Sequence, residues 1–392
     1  MRCVAIDQLR PGDRLGRDIY IGFDAMPLLR AGVRVSDSYQ LSLQRAGISA
    51  VWIDDGLSEG IEPLEVLEEA TRQRATAVIR DAFRDISHAL PRPGTAISPR
   101  DSSALSTDSV DQMRDVAEMI VGDVSRNIHS AIALNDLANA DGYTLKHSLA
   151  VTTLGLAVGL RVMWKYGWVD GHGKRRFDGI DERLAILGVG LLLHDIGKLA
   201  VPPAILRKRG PLNEEEWQAM RAHPMLGVDI LRKAEGISPL ARAVVRSHHE
   251  RWDGTGYPEN RSGEDIHQFA RIASVADVYD ALTSDRDYRP AWTMPDGYDF
   301  VVSRGGKDFD LEAVAAFQEC VAPYPTGTWV RLSDGSAGLV KEVRQGYVKT
   351  PIVRVLRDPG GAMIEPREIN LATTPGLSIT SSKVDHLTAQ AV

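Results

Sequence analysis

The sequence predicts a multidomain protein: a small α+β domain comes first, an all-α domain occupies the centre, and a small β-rich domain follows. Three observations support this prediction. Helical periodicity dominates residues 109–321, short strand-like runs separated by turn signals fill the chain after residue 322, and a Pro- and Ser-rich stretch precedes the central part. The chain has 392 residues, which is long enough for two or three domains.

Residues 1–58 are predicted to form the small α+β domain. The apolar runs CVAI and AVWI flank a helix that begins near Ser36, and RPGD and RAG supply turns. Residues 59–108 begin with a charged helical stretch and continue into LPRPGTAISPRDSSALSTDS, a composition typical of a flexible linker. We therefore expect a domain boundary in this linker.

The central part, residues 109–321, is predicted to be helical. One buried helical stripe recurs every four residues, at Val116, Ile120, Val124 and Ile128. NEEE at 213–216 is typical of a capping box that starts a helix, and Ser238 followed by Pro239 is typical of another helix start. Alternating strand patterns are scarce here, which favours an all-α domain.

Residues 322–375 are predicted to form the small β-rich module. TWVRLS, AGLVKEV, IVRVLRD and AMIEPREINL are short strand-like runs, and SDGS and DPGG are turn signals between them. A polar tail is expected over residues 376–392.

Composition restricts the class of function. The net charge of −7 disfavours a protein that binds polymeric nucleic acid, although a local basic pocket for a small phosphorylated ligand remains open. Two cysteines, Cys3 and Cys320, form no disulfide framework. The longest nearly apolar run, residues 184–193, is too short to span a bilayer, and no signal peptide is evident at the start. A cytoplasmic protein is expected.

Two short motifs concentrate side chains that can bind metals: HDIGK at 194–198 and SHHERWDGTGYP at 247–258. Neighbouring residues on a helix diverge by about 100°, so such doublets can share a partner most readily at helix ends that face one cavity. Taken singly, each histidine is more typical of a core or surface residue. Together, histidines and aspartates in these settings favour a mixed site for Fe, Mn or Zn. The candidates are His147, His194, Asp195, His223, His248, His249 and Asp277.

Four motifs in a fixed order carry a resemblance to a known family. HDIGK, then HP at 223–224, then HHERWDGTGYP, then ADVYDALTSDRDYR at 276–289 resemble the HD-GYP family, a branch of the HD phosphohydrolases. The resemblance covers roughly residues 109–321. It implies an HD-type helical bundle that hydrolyses the bacterial messenger cyclic di-GMP. The flanking parts resemble, more weakly, short modules that accompany this domain.

The resemblance also implies the metal ligands. One ion would be held by His147, His194, Asp195 and Asp277. The second would be held by Asp195, His223, His248 and His249, with Asp195 bridging. Two divalent ions per chain are expected, with Fe(II) favoured and Mn(II) as the alternative. Some members place a Glu that recruits a third metal where this chain has Tyr143, so two ions rather than three are expected.

Substrate contacts follow from the same resemblance. Lys198, Arg286 and Arg289 would contact phosphate, because each matches a basic position of the family's motifs. Gly256, Tyr257 and Pro258 belong to the signature loop, which either only locks the His248–His249 doublet in place or also lies near substrate or a partner. The residues expected to act in catalysis are Asp195, Lys198 and Asp280, the last supporting the site or handling a proton. Glu250 is expected to support the metal ligands or the local structure rather than to act as a general base.

The resulting prediction is a metal-dependent phosphodiesterase that converts cyclic di-GMP to pGpG, and then to GMP if a second cut occurs, through a hydroxide bridging two metals. One alternative is a receptor that binds cyclic di-GMP and signals through its flanking domains. Another is a phosphohydrolase acting on a different nucleotide. Contacts with a second copy or a signalling partner are expected, if they occur, at the GYP loop or the flanking domains.

The segment 164–180 is the part of the central domain that the family pattern explains least. It is longer than the family's usual spacing between the first histidine and the HD motif, and it carries His172 and the basic cluster at 174–176. A solvated surface loop is the expectation we favour, with a role at the site entrance or in a dimer contact as the alternatives.

Overall fold

The computed structural model describes residues 1–20, 27–46, 48, 50–63, 65–90, 105–127, 143–208, 210–284 and 291–382. Most of the expected linker, the stripe residue Ile128 and the end of the expected tail lie outside these residues. The described chain forms two units. One contains the described residues of Met1–Glu65 and Glu319–Val392, and the other those of Val66–Ile128 and Gly142–Gln318.

Helices and short strands follow one another in a clear order along the described residues. In chain order they are β1 (Arg2–Ala5), α1 (Asp37–Arg45), β2 (Ala50–Ile53), α2 (Glu69–Ala89), α3 (Thr107–Arg126), α4 (Tyr143–Tyr166), β3 (Trp168–Val169), β4 (Arg175–Arg176), α5 (Ile180–Leu193), α6 (Pro203–Leu206), α7 (Glu214–Arg221), α8 (His223–Ile230), α9 (Pro239–Ser247), α10 (Gln268–Thr283), α11 (Met294–Ser303), α12 (Leu311–Cys320), β5 (Trp329–Leu332), β6 (Ala337–Glu342), β7 (Ile352–Arg357), β8 (Met363–Asn370) and β9 (Ile379–Ser381).

The unit that contains α2 to α11 confirms the prediction of a helical central domain, and it also includes α2, which lies before the expected domain boundary. The stripe of α3 is buried at Val116, Ile120 and Val124, as its four-residue spacing predicted. Helix α7 begins with the predicted capping box, in which Asn213 and Glu216 bond each other's backbone. Helix α9 begins at Pro239, and the Ser238 side chain caps its first turn. Local sequence signals therefore set these boundaries.

Helix α5 lies at the centre of this unit and delivers the HD doublet. Its last residues, from Leu187 to Leu193, are buried on every face. Residue Gly190 lets α9 approach, because a Cβ at this position would lie 2.9 Å from Val244 Cβ. The close approach matters since α5 and α9 end in the two histidine-bearing doublets.

Helix α4 is long and apolar enough to span a membrane. Among the described residues, no other helix meets this criterion. Its window over Leu145–Tyr166 has a mean hydropathy of 1.2, and 94% of that window is buried inside the protein. Burial of this extent is typical of the core helix of a bundle.

The other unit contains the predicted β-rich module. Its antiparallel sheet has the strand order β8-β7-β6-β5-β9, which confirms β structure near the end of the chain. In the N-terminal part, β1 pairs antiparallel with β2, and Ser36 caps α1 at the predicted position by accepting a hydrogen bond from the Tyr39 N–H.

The N-terminal and C-terminal segments of this unit share hydrogen bonds and a core. The backbone N–H of Cys3 donates to the carbonyl of Gly327 at 3.2 Å. Ile61 belongs to the same buried cluster as Trp329, Leu339 and Leu356. Segments that lie more than 250 residues apart in sequence are thus packed against each other, which the strand and turn signals of either segment alone do not indicate.

Candidate metal centre

The two doublets lie at helix ends, as the geometry of neighbouring ligands required. His194 is the residue at which α5 ends, and Asp195 follows it. His248 is the residue at which α9 ends, and His249 comes next. His223 begins α8. The remaining two candidates, His147 and Asp277, lie inside α4 and α10 and face the same cavity.

One group of ligand atoms surrounds Oδ2 of Asp195. The Nε2 atoms of His147 and His194 each lie 3.4 Å from this oxygen, and they are 3.2 Å from each other. Oδ1 of Asp277 lies 3.1 Å from His147 Nε2. The structure thus brings together the four residues that the resemblance implied for one ion, all of them buried.

A second group surrounds the other oxygen of Asp195. Oδ1 lies 3.4 Å from His223 Nε2 and 3.9 Å from His248 Nε2, and these two ring nitrogens are 3.3 Å apart. Asp195, His223, His248 and His249 each offer a ligand atom, and all four atoms lie within 4.8 Å of one another. The carboxylate of Asp195 therefore presents one oxygen to each group.

Asp277 has a similar position between the groups, which the sequence did not indicate. Its Oδ1 faces His147 at 3.1 Å, and its Oδ2 lies 3.6 Å from Nδ1 of His249. No sequence signal distinguished a carboxylate that faces one group from one that faces both, because this depends on the orientation of α10.

The hydrogen bonds of the histidines aim their other ring nitrogens into the cavity. Nδ1 of His194 contacts the Leu191 carbonyl at 2.7 Å, and Nδ1 of His223 contacts the Met220 carbonyl at 2.8 Å. Nδ1 of His248 contacts the carbonyl of Val244 at 3.1 Å. A carbonyl only accepts, so each Nδ1 carries the proton and each Nε2 is left as a lone-pair donor.

This donor set fits a divalent cation. The lone pairs of His223 Nε2 and His248 Nε2 face each other at 3.3 Å beside a buried carboxylate, which is unfavourable without a positive charge between them. Oδ1 of Asp195 is buried and has no hydrogen-bond partner. Buried polar atoms are normally satisfied, and imidazole with carboxylate is a common ligand set for Fe, Mn and Zn.

The electrostatics of the cavity keep most ligands in the form that binds metal. Burial lowers the pKa of His223 to about 4 and that of His249 to about 3, so both rings are neutral at neutral pH. Burial opposes ionisation of Asp195, but Lys198 and the nearby histidines hold its pKa well below the ordinary value. The cavity therefore offers neutral rings and an ionised carboxylate.

His147 is the exception among the ligands. Burial would lower its pKa, but its hydrogen bonds with Asp195, Asp277 and Asp280 outweigh this effect and raise the pKa well above the ordinary value. A raised pKa means that the ring keeps its second proton through pH 7 and loses it only at higher pH. An ion that takes Nε2 of His147 must displace this proton.

We expect metal binding at pH 7 to release about one proton per chain, supplied by His147. Titration calorimetry with Mn(II) in buffers of different ionisation enthalpy measures this number. The number should fall towards zero as the pH rises through the raised pKa of His147. The exposed histidine His172 offers a control, because the His172→Gln variant should release the same number of protons on metal binding as the wild type. An apparent enthalpy that is the same in every buffer would contradict the assignment.

Lys198 and Asp280 occupy different positions relative to the cavity. Nζ of Lys198 lies 2.6 Å from Oδ2 of Asp195, and its side chain is 26% exposed, so it stands at the open side. Asp280 is buried and contacts Nδ1 of His147 at 2.7 Å, on the side of the ring away from the cavity. Its other oxygen accepts a hydrogen bond from Ser284 at 3.0 Å. This is the position of a residue that orients a ligand.

Asp280→Asn should weaken metal binding about 10- to 100-fold, because the carboxylate that fixes and polarises the His147 ring is lost. Competition with a chelator of known affinity measures this change. The effect should fall on the ion that His147 binds. A matched control is Asp299→Asn, which changes an aspartate of α11 that we do not place at the site. Unchanged affinity in Asp280→Asn would show that Asp280 does not orient a ligand.

The signature loop closes over the second doublet. The Tyr257 ring stacks on the His249 ring with centroids 4.7 Å apart, and the Tyr257 N–H donates to the His249 carbonyl at 3.2 Å. Residue Gly256 is needed for this close approach, because a Cβ there would lie 2.3 Å from the backbone nitrogen of Arg251. Pro258 follows Tyr257 through a cis peptide bond.

Glu250 fastens the same loop. Its buried carboxylate accepts hydrogen bonds from the backbone N–H groups of Glu259 at 2.7 Å and Arg261 at 3.1 Å. Both oxygens are used in this way, so the structure gives Glu250 a structural position.

Three candidates from the sequence have no described side chain. Arg286 and Arg289 lie outside the described residues, and the side chain of Tyr143 is likewise not part of them. Their expected roles, in phosphate binding and in the number of ions, remain predictions.

The long segment 164–180 contains a short hairpin away from the metal centre. Strands β3 and β4 pair, and Gln268 at the start of α10 bonds Gly167 and Val169 at 3.0 and 3.2 Å. Asp277 lies nine residues further along α10, which corresponds to about 14 Å of helix. The hairpin is therefore positioned at the opposite end of α10 from the ligands, and not at the site entrance.

An all-α bundle in which His–Asp and His–His doublets meet at helix ends defines an HD-domain protein. The family model described as the HD domain matches residues 181–314. A protein from Pseudomonas aeruginosa named cyclic di-GMP phosphodiesterase PA4108 is 32% identical over 373 residues, which cover 88% of this chain and 82% of that protein. With the GYP loop in place, the chain belongs to the HD-GYP family of HD-domain proteins.

Other relatives match a shorter part of the chain. The cyclic di-GMP phosphodiesterase response regulator RpfG from Xanthomonas campestris is 39% identical over 137 residues, 35% of this chain and 36% of that protein. The protein named 3'3'-cGAMP-specific phosphodiesterase 3 from Vibrio cholerae is 37% identical over 179 residues, 43% of this chain and 39% of that protein. The chain thus spans well under half the length of these two relatives.

Proposed function

We propose that this protein is a metal-dependent phosphodiesterase that hydrolyses cyclic di-GMP. The observation that carries the proposal is the carboxylate of Asp195, whose two oxygens each face a separate group of histidines at 3.4 Å. A single carboxylate between two such groups suits a pair of ions. The long match with a relative named for this activity supports the substrate.

The two groups of ligands would each hold one divalent ion. His147, His194 and Asp277 would hold one with Asp195, and His223, His248 and His249 the other. Iron(II) is favoured and Mn(II) is the alternative, because both accept mixed imidazole and carboxylate ligands. When bound, two such ions lower the pKa of a water and offset the negative charge of a phosphodiester.

The chain's own residues would position the substrate. Lys198, at the open side of the cavity, would contact a phosphate oxygen and offset charge that builds up on it in the transition state. Arg286 and Arg289 would grip the same phosphate group or its neighbour. Asp280 would hold the His147 ring, and the loop at Gly256, Tyr257 and Pro258 would hold His249 and border the opening.

The reaction would add one water across one phosphodiester bond. Opening the ring gives the linear dinucleotide pGpG, and a second cut of the remaining diester gives GMP. The buried ligands exclude bulk water from one side of the cavity, so the substrate would approach past Lys198 and Tyr257.

Anaerobic turnover of cyclic di-GMP by protein reconstituted with Fe(II) or Mn(II) tests the proposal. Products are separated by chromatography, and bound metal is counted on the same sample. Turnover to pGpG with about two ions per chain is expected. Tight binding of cyclic di-GMP without turnover at any metal content would favour the receptor alternative.

A second substrate, 3'3'-cGAMP, is favoured by one observation, the 37% identity with a relative named as specific for it. It shares one guanine with cyclic di-GMP and has the same kind of phosphodiester ring. The ratio of kcat/KM for the two substrates decides between them. A ratio above one for cyclic di-GMP is expected.

A further inference from the structure

A row of aromatic and cation–π contacts leads outwards from the metal centre. Helix α7 carries Trp217 and Arg221, which are four residues apart and so lie on one face. Cζ of Arg221 lies 5.8 Å from the centroid of the Trp217 ring and 5.7 Å from the centroid of the Tyr257 ring. Both distances are within the range of cation–π attraction, so the guanidinium lies near both aromatic rings.

The inner end of this row is the open side of the metal centre. Tyr257 stacks on His249, and the His249 side chain is 23% exposed, whereas the other candidate ligands are exposed by 8% or less. Lys198, 26% exposed, stands at the same opening. A substrate whose phosphate lies at the metal ions would therefore have the chemical group next to that phosphate near Tyr257, Arg221 and Trp217.

The polar edge of Arg221 is available to such a group. Arg221 is exposed, and within the described part of the chain its side chain makes no hydrogen bond or ion pair. Trp217 is 46% exposed, so part of its ring faces solvent. The contacts with both rings hold the guanidinium near the opening, and its N–H groups make no hydrogen bond within the described residues. These groups suit a partner with paired acceptors.

Guanine has the acceptors that match this edge. Its O6 and N7 accept two parallel hydrogen bonds from one arginine, whereas adenine presents a donor, its N6 amino group, beside N7. An exposed aromatic ring adds stacking, which every base can use. Arginine thus discriminates between purines, and tryptophan strengthens the binding of either.

We propose that Trp217 and Arg221 form a base-recognition shelf, in which Arg221 selects guanine and Trp217 stacks on it. The inference rests on the proposed function, since it names the groups that select the base of the dinucleotide. The sequence carried one signal for it, the four-residue spacing of Trp217 and Arg221 just before the HP motif. The contact of Arg221 with Tyr257 could be seen only in the structure.

The test compares three substrates with four variants of the reconstituted full chain. The substrates are cyclic di-GMP, cyclic di-AMP and bis(p-nitrophenyl) phosphate, a diester without a base that reports on the metal centre alone. The variants are Arg221→Met, Arg221→Lys, Trp217→Leu and the control Arg183→Met. Arg183 also stacks on a tryptophan, Trp168, at 4.3 Å, but at the hairpin away from the ligands.

Arg221→Met should lower kcat/KM for cyclic di-GMP about 10- to 100-fold. It should lower the value for cyclic di-AMP by less than about threefold, so that selectivity collapses. Arg221→Lys should restore only part of the selectivity, because a lysine lacks the planar fork. Trp217→Leu should weaken binding of both dinucleotides, and Arg183→Met should change nothing.

The outcomes separate this inference from the proposed function. If the wild-type protein cleaves bis(p-nitrophenyl) phosphate but neither dinucleotide, the proposed substrate is wrong. If the wild-type protein cleaves cyclic di-GMP and Arg221→Met leaves the ratio of the kcat/KM values for the two dinucleotides unchanged, the proposed base-recognition shelf is wrong. The proposed function is not affected by that result. Equal losses on all three substrates would also overturn the shelf, because they would place the effect in the metal centre.

Discussion

Asp195→Asn should remove metal from the protein and abolish hydrolysis of cyclic di-GMP. The wild-type carboxylate offers one oxygen to each histidine group, whereas an amide offers a single neutral oxygen. We therefore expect bound metal to fall from about two ions per chain to one or fewer, and kcat/KM to fall about 10³-fold or more. Elemental analysis and product chromatography on the same sample measure both quantities.

The physical reason lies in the charge of the cavity as well as in its geometry. Asp195 is buried with Oδ1 unpaired, and Lys198 lies 2.6 Å from Oδ2. Removing this negative charge leaves the positive charge of Lys198 beside the cavity, which opposes the binding of a cation. Loss of the bridging ligand and repulsion by Lys198 act in the same direction.

Asp229→Asn is the matched control, because Asp229 is a partly exposed aspartate of α8 that pairs with Arg232 away from the ligands. Metal content and turnover should equal those of the wild type. If Asp195→Asn kept both ions and its activity, Asp195 would not bridge, and the assignment of both groups of ligands would have to be abandoned.

The ligand candidates illustrate what a sequence can and cannot predict about a site. The doublets pointed to helix ends because adjacent side chains diverge on a helix, and the structure places His194 and His248 where their helices end. The spacing could not give the orientation of α10, so the contact of Asp277 with both groups became visible only in the fold.

Longer-range arrangements were still less accessible from the sequence. Cap signals predicted the starts of α7 and α9, because capping depends on residues within one turn. The shared core of Ile61 and Trp329 depends on packing between distant segments, for which a single sequence has no local signal. Likewise, nothing in the segment 164–180 indicated that its hairpin would attach to the start of α10.

Gly197→Ala should destabilise the protein and displace His223 from the second group of ligands, although Gly197 has no side chain that could bind a metal. Gly197 lies in the HDIGK motif directly against α8, the helix that begins with His223. A Cβ at this position would lie 1.9 Å from the His223 carbonyl oxygen and 2.5 Å from the Gly227 nitrogen. Both atoms belong to the backbone, so no side chain can rotate away to make room.

Helix α8 would have to move as a whole, and His223 would move with it. We expect a loss of about 4 kcal/mol or more in the free energy of unfolding, which is the range of severe overpacking and strain at a buried position. Bound metal should fall to one ion per chain or fewer, because the second group then lacks a ligand. Urea denaturation and elemental analysis measure the two effects.

Gly171→Ala separates steric overlap from the general effect of replacing a glycine. A Cβ at Gly171, in the hairpin, would meet no atom within 4 Å, so stability should change by less than about 0.5 kcal/mol. If Gly197→Ala were as stable as the wild type and kept both ions, α8 would be free to shift without cost. The metal centre would then owe its geometry to the metal, and not to the close packing of the HDIGK turn against α8.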